Sequence, residues 1–311
     1  MGSGSSGGTP SPWCLLSDTG CTACHSDDVR NKRTNPAALV RIQGAVVFID
    51  CGKRWYDQTI GTLQKLKLPA HAVRRVLLTH SHADAANGID DLRGFRHPPQ
   101  HPSAHEHPPI EVYAAPVDLK HLSNTFGYLF DSSKATGSGH VALLNWKPLP
   151  TDMAPVPLST ATDERAAGAP DTVDVVAVPV DHGPNCVAQS FYFPSVQLLY
   201  MSDVKSVLPA SLAYLQSVTV DLLVIDCTFR TTVLVSHVNW EESIAIVKQI
   251  KPRRVTFTGL THDFEFAEFD AGLRARNLWG TTLPPEIEFI APYDGIELPL
   301  NVEGGKKRKQ V

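Results

Sequence analysis

Three side chains able to hold an ion or move a proton stand at alternate positions in THSHADAANGIDDLR, residues 79–93: His80, His82 and Asp84. Imidazoles and carboxylates in this spacing form a donor set for a divalent cation, and such an ion polarises a scissile group and activates water. In an extended segment, residues two apart face the same way, so His80 and His82 would converge on one point. Matching donors come later. VDVVAVPV runs into Asp181, His182 and Gly183, and VQLLYMSD ends on Asp203. Both place polar side chains just past an apolar run, where layered α/β proteins build their sites. His80, His82, His182 and Asp203 thus make a mixed nitrogen and oxygen set suited to Zn²⁺, Mn²⁺ or Fe²⁺.

The elements needed to position these donors are legible. AALVRIQ and AVVFID are β-rich runs broken at Gly44, the pattern of a hairpin. YDQTIGTLQKLKL has helical spacing and stops before Pro69; RRVLLTH is a buried strand carrying the first histidine at its end. IEVYAA reads as a strand and PVDLKHLSNTFGYLF as a helix. Strands follow at VDVVAVPV, SFYFP, VQLLYMSD, DLLVIDCTF, RRVTFTGL and IEFIA, with an amphipathic helix at WEESIAIVKQIK. Strands and helices alternate in both halves without a linker-rich boundary, so residues 1–300 are expected to form one layered α/β domain. Residues 97–109 (four histidines, five prolines) read as a surface loop, 131–170 as an irregular insertion, and 301–311 as a basic disordered tail.

Hydrophobic residues at 42% and charged residues at 19% fit an ordinary globular chain, and a net charge of −4 provides no reason to expect nucleic acid as a partner. No apolar run approaches the roughly 20 residues that span a bilayer, and no signal-peptide pattern opens the chain. A cytoplasmic location is expected, with a nuclear one as the alternative if KKRK near the C-terminus is an address and not a solvated charge run. Of six cysteines, Cys14, Cys21 and Cys24 cluster as C-x6-C-x2-C while the others are scattered, which suits metal binding in a reduced compartment better than a disulfide framework.

FIDCG, THSHADAANGIDDLR, VPVDHG, YMSDV, SHVNWEES and GLTHDF, following an early GSGSSGGTPSPWC, resemble the landmarks of the metallo-β-lactamase-fold hydrolases. The branch resembled is that of the cyclic phosphodiesterases of phosphonate breakdown, in its HxHADA subgroup. The resemblance implies a four-layer αββα sandwich and a first catalytic ion on His80, His82, His182 and Asp203. Two-ion relatives add a second ion through the match of Asp84, a histidine at Ala85 and a late histidine whose position falls on Gly259. Both imidazoles are absent here, so a site reorganised around one ion is expected. Asp84, which is also a candidate helix N-cap, would then act on water, and His237 would contact phosphate or protonate the leaving group. Asp226 is a candidate to orient a ligand. Asp90, Asp91 and Arg93 would brace the loop.

Relatives also hold a structural zinc through early cysteines and a late histidine, which implies Cys14, Cys21, Cys24 and His262 here, with His25 as a substitute ligand. HSDDVRNKRTNPAALV fits the family after the last cysteine, which favours a native Gly-rich opening over an added linker. The strand usually preceding it is absent, so a shortened N-terminus is expected. The expected activity is that of a metal-dependent phosphodiesterase acting on a small molecule, a homodimer being compatible with it. Hydrolysis of a thioester, lactone or amide is one alternative, and a non-catalytic metal-binding protein the other. A tRNA-processing role is disfavoured, since no insertion supplies a basic arm.

Overall fold

The structure, a computed structural model, describes residues 1–17, 19–96, 108–137, 141–142, 144–160 and 171–301. Alternation of side chains along two sets of strands decides its architecture. β1 (Ala38–Ile42), β2 (Ala45–Ile49), β3 (Arg75–Leu77), β4 (Ile110–Ala114) and β5 (Leu144–Pro148) form one sheet in that order. β1 and β2 make the expected antiparallel hairpin, with Ala38 opposite Ile49, and the remaining pairs are parallel. Eight strands form the second sheet: β6 (Pro155–Ser159), β7 (Thr172–Asp181), β8 (Val187–Phe193), β9 (Leu198–Met201), β10 (Ser206–Val207), β11 (Leu222–Asp226), β12 (Arg254–Thr258) and a last strand, Glu288–Ile290. The short pair β13 (Asn277–Leu278) and β14 (Thr281–Thr282) stands apart, and Glu288–Ile290 is β15.

Val47, Ile49 and Leu77 of the first sheet pack against Val175, Ala177, Phe191 and Leu222 of the second, forming the layer between them. Their neighbours along the strands, Val46, Phe48 and Val76, face outward under Trp55, Leu63 and Leu122. On the second sheet Val176, Val178, Leu223, Ile225 and Phe257 face outward under Trp240, Ile244 and Val247. The period of two thus buries both faces of both sheets and yields helix, sheet, sheet, helix. The helices in chain order are α1 (Pro12–Leu16), α2 (Thr22–His25), α3 (Trp55–Leu66), α4 (Ala83–Ala86), α5 (Pro116–Thr125), α6 (Gly127–Phe130), α7 (Pro209–Ser217), α8 (Trp240–Ile250) and α9 (Phe266–Ala275). Local chemistry sets their ends. Asn239 caps α8 in a reciprocal box with Glu242, and Lys67 closes α3 in the left-handed region at φ 53°.

Two expectations change. The stretch 131–170 carries β5 and β6; both are edge strands, and Pro155 and Pro157 remove donors that only a one-sided strand can spare. The helix expected over 116–130 is two, because Phe126 leaves helical geometry at φ −117°, ψ 47° before Gly127. The opening loop packs against the rest of the fold: Gly4 bridges to Leu260, Ser3 N–H donates to Asp294, and a Cβ at Gly2 would lie 1.9 Å from the Asn35 carbonyl. Residues 97–107 of the His/Pro-rich stretch and residues 302–311 of the tail lie outside the described residues. No helix among the described residues is long and apolar enough to cross a membrane.

Candidate metal centres

β7, β9, β11 and β12 run in one direction, so Asp181, Asp203, Asp226 and Gly259 emerge at one rim of the second sheet. The loop after β3 brings His80 and His82 to the same rim from the first sheet. The ligating atoms of His80, His82 and His182 lie within 4.8 Å of one another, as do those of His182, Asp203 and His237. Asp203 Oδ1 stands 3.9 Å from His182 Nε2. The two sets share His182, which thus stands between His80 and His82 on one side and Asp203 and His237 on the other. Asp84 lies outside both sets. His82, not Asp84, occupies the N-cap position of α4; Asp84 is the second residue of that helix.

Each inner histidine is aimed by a bond at its outer nitrogen. His80 Nδ1 lies 2.9 Å from Thr79 Oγ1, which in turn lies 3.0 Å from Asp50. The chain of donors runs from ring N–H to hydroxyl to carboxyl, leaving the His80 Nε2 lone pair pointing inward. That Nε2 is buried with no hydrogen-bond partner in the protein. Burial pushes the His80 ring down to about 3, so it is a neutral donor. His182 Nδ1 donates to Ser236 O at 2.8 Å, and His237 Nδ1 to Asp226 Oδ2 at 2.8 Å. Burial opposes the charge of Asp203, but His80, His237 and His182 together hold its carboxyl below the ordinary range. The orphaned buried nitrogen of a neutral His80, beside an Asp203 carboxyl held in its charged form, fits a divalent cation.

Around this set the backbone is unusual. Asp50 (φ 61°) and Asp203 (φ 53°) are left-handed without being glycine, a cost that persists where surrounding structure over-determines it. Burial, then the charge of Asp203, raise the Asp84 carboxyl above its ordinary range. At Gly259 (φ +72°) a Cβ would sit 2.4 Å from Asp226 Oδ1. Asp226 thus occupies the space into which any side chain at 259 would grow. Arg93 pairs with Asp90, which also accepts from Tyr128 at 3.0 Å, so part of the expected bracing is present. Thr79, Asp50 and Ser236 carried no role in the sequence reading. An aspartate ending the wholly apolar run AVVFI was the one signal available for Asp50.

The second cluster gathers Cys14, Cys21, Cys24 and His262 within 4.8 Å of one another. His262 Nδ1 lies 3.5 Å from Cys14 Sγ and 3.4 Å from Cys21 Sγ. All three thiols are free, and four such donors form a closed tetrahedral set. His25 is not among them; its Nε2 lies 2.9 Å from the Cys14 carbonyl. Arg33, 1% exposed, donates to Thr261 O and Phe264 O and fixes the loop that carries His262.

The sequence model of the beta-lactamase superfamily domain matches residues 46–260. Similar solved structures include a diphosphatase of the PhnP family, at 23% identity, TM-score 0.69, and coverage of 96% of this chain and 94% of that one. Zn²⁺-bound PqqB from Methylobacterium extorquens is similar at 19% identity, TM-score 0.63, and coverage of 96% and 98%. The short form of human tRNase Z follows at 17%, TM-score 0.57, and coverage of 97% and 98%. These likenesses concern the fold. An octanoyltransferase of Porphyromonas gingivalis strain W83 is 25% identical over 305 residues, 98% of this chain and 51% of that protein, so the chain spans about half the length of the curated relative it matches. With the family match over most of the chain, the αββα layers and the histidine clusters at the strand ends, the chain belongs to the beta-lactamase superfamily, whose metallo-β-lactamase fold holds divalent metal.

Proposed function

We propose that the protein hydrolyses a phosphodiester of a small molecule at a centre built for one catalytic ion, Zn²⁺ or Mn²⁺, with Fe²⁺ as the third candidate. The observation carrying this reading is the convergence of His80, His82, His182 and Asp203 beside a His237 gripped by Asp226. The ion, when bound, supplies Lewis acidity to the scissile group and to the attacking water. Asp84 takes a proton from that water, a task suited to a carboxyl whose affinity for protons is raised. His237 gives its Nε2 proton to the leaving oxygen as the P–O bond breaks, while Nδ1–H stays on Asp226. Burial works against the His237 charge, yet the hydrogen bond and the charge of Asp226 outweigh it and hold the ring at about 9. The acid form therefore dominates at neutral pH.

A single ion is favoured because Ala85 offers no donor and Asp226 fills the space at Gly259. The kinship in fold with a PhnP-family diphosphatase agrees with phosphorus chemistry. Cys14, Cys21, Cys24 and His262 take a structural Zn²⁺ that ties the early loop to the segment after β12. The test is a panel of aryl phosphodiesters and diphosphates with protein loaded with Zn²⁺ or Mn²⁺, beside His80→Ala. Hydrolysis lost in the variant supports the reading; a wild-type rate no higher than the variant's overturns it.

A second reading, hydrolysis of an acyl thioester, draws on the octanoyltransferase relative. An octanoyl thioester in the same panel separates the two: cleavage of the thioester with the diesters untouched favours the second.

A further inference from the structure

Strand β1 lies at the edge of the first sheet and pairs on one side only, with β2. The hairpin turns at Gln43 and Gly44, both with positive φ, and Ile42 faces Ala45 across that two-residue turn. A turn of this kind closes on a hydrogen-bonded pair, so Ile42, Val40 and Ala38 direct their N–H and C=O groups to β2. Leu39 and Arg41, in between, turn theirs to the open side, where nothing among the described residues bonds them. Ala37 has the same parity, and its outward N–H is taken: it donates to Gly2 O at 3.2 Å. A cavity of about 420 Å³ lies along this open edge. Leu198, Leu222 and Val224 line it from the inner face of the second sheet, and Leu66 lines it from α3. Its other wall is the stretch 297–300, in which no residue makes a backbone–backbone hydrogen bond among the described residues. Lys65 holds this wall from α3 through Gly295 O at 3.1 Å and Glu297 at 2.7 Å, and Arg254 holds it from β12 through Pro299 O at 2.8 Å. Met1 and Gly2 sit between the two walls, since Met1 O accepts from Gly295 N–H at 2.9 Å while Gly2 O accepts from Ala37.

An open edge can simply be left to water, and natural sheets blunt such edges with charge or proline. Arg41 supplies one charge here. Water, however, needs two to four polar partners, and leucine and valine side chains of the second sheet offer it none. An acyl chain would suit those side chains but leave the backbone groups of both walls unpaired. An extended peptide satisfies both demands at once. We propose that the cavity is a slot for a β-strand supplied by a partner polypeptide, bonded to Leu39 and Arg41 on one side and to residues 297–300 on the other. The strand would run antiparallel to β1, the sense in which Gly2 and Gly4 already pair with Ala37 and Thr34. About five residues, the usual strand length, would fill it. Alternate side chains would fall on Leu198 and Leu222, so the partner segment is one with apolar residues at every second position. The proposal depends on neither metal centre.

The test uses the full chain and a soluble peptide of about six residues, with valine at alternate positions and lysine at both ends. A twin peptide carries N-methyl groups on the amides that would face β1. At about ten times its Kd the first peptide should slow amide exchange of Leu39 and Arg41 about tenfold and raise the unfolding temperature, with Val40 hardly changed. The twin should do neither. Leu39→Pro deletes an N–H that bonds nothing in the free protein, at a place where an edge strand tolerates proline. It should weaken peptide binding by up to about tenfold, the usual worth of one hydrogen bond. If that variant fails to fold, the N-methylated twin decides the matter without it. Equal effects from the twin would overturn the proposal, because apolar filling alone would then be at work. Dodecanoate protecting the two amides where the peptide does not would overturn it in the same way. So would exchange at Leu39 and Arg41 that no soluble concentration of peptide slows. A chain that sediments as a dimer, with both amides slow before any peptide is added, would mean that a second copy already covers the edge, and that too overturns it.

Discussion

The two clusters hold their donors by opposite means. At the histidine rim His80, His182 and Asp203 follow strands of two packed sheets, and both of those imidazoles are aimed by bonds that need no ion. At the second cluster three thiols come from a stretch of eleven residues holding two short helices, and one imidazole comes from the far end of the chain. Apart from contacts with His262, the thiol bonding there includes Ser11 N–H on Cys24 Sγ at 3.3 Å. The difference is one of cause. Strands arrange the first set so that a cation can enter, whereas at the second set the cation itself would supply the cross-link.

The harshest way to break the first half of this comparison is His80→Ala. It removes the buried, unpartnered Nε2 and should return hydrolysis to the background rate with loss of one ion per chain, read by elemental analysis. The fold and the thiol-bound ion should survive, because the strands and not the ion hold that rim. Loss of both ions would mean that the two centres are not independent.

Next in size is His237→Ala, expected to lower kcat by about 10²- to 10⁴-fold, the usual range for a lost general acid, with ion content unchanged. The pH profile carries the sign. The His237 pKa is raised from 6.5 to about 9, so the proton it donates is present below that value and lost as pH rises through it. Activity should therefore fall on the alkaline side near pH 9. Asp226→Asn removes the charge that holds the proton, and the alkaline limb should move toward neutrality. A limb that stays in place would mean that another group titrates there.

Cys21→Ser probes the other half. It should cost the second ion and lower the unfolding temperature while changing kcat by less than about tenfold, since distant sites act nearly independently. A variant that kept its ion and its midpoint would show that the loop is held by Arg33 and Asn31 instead. Those residues already bond the segment from Thr261 to Phe266.

How much of this was legible in the sequence depended on whether a pattern was local. His80, His82, His182 and Asp203 were readable because each follows an apolar run of strand period, and chain direction then puts them on one rim. Cys14, Cys21 and Cys24 were readable from spacing, but His262 needed the family resemblance, as nothing local joins residues some 240 apart. β5 and β6 escaped because edge strands need not alternate cleanly, and α7 because its sequence PASLAYLQS has no clear polar face. The outer partners escaped for a different reason. Thr79 and Ser236 act through one hydroxyl and one carbonyl whose direction only the tertiary structure sets.

The finest test lies on the loop that joins the two centres, where Gly259 stands beside Asp226 and three residues before His262. Gly259→Ala would meet two separate penalties. A left-handed φ of +72° strains any side chain, and the new Cβ would press on Asp226 Oδ1 from 2.4 Å. Gly280→Ala isolates the first penalty, since Gly280 has φ +81° and no atom within 4 Å of the added Cβ. The Gly280 variant should lose about 1 kcal/mol in urea denaturation, the cost of a left-handed residue, with activity unchanged. The Gly259 variant should lose roughly 2–3 kcal/mol, strain and overpacking together, and its alkaline limb should shift as in Asp226→Asn because the carboxylate is displaced from His237. Equal losses in the two variants, with no shift of that limb, would mean that Asp226 yields freely and that its place beside Gly259 is not what holds His237 at the rim.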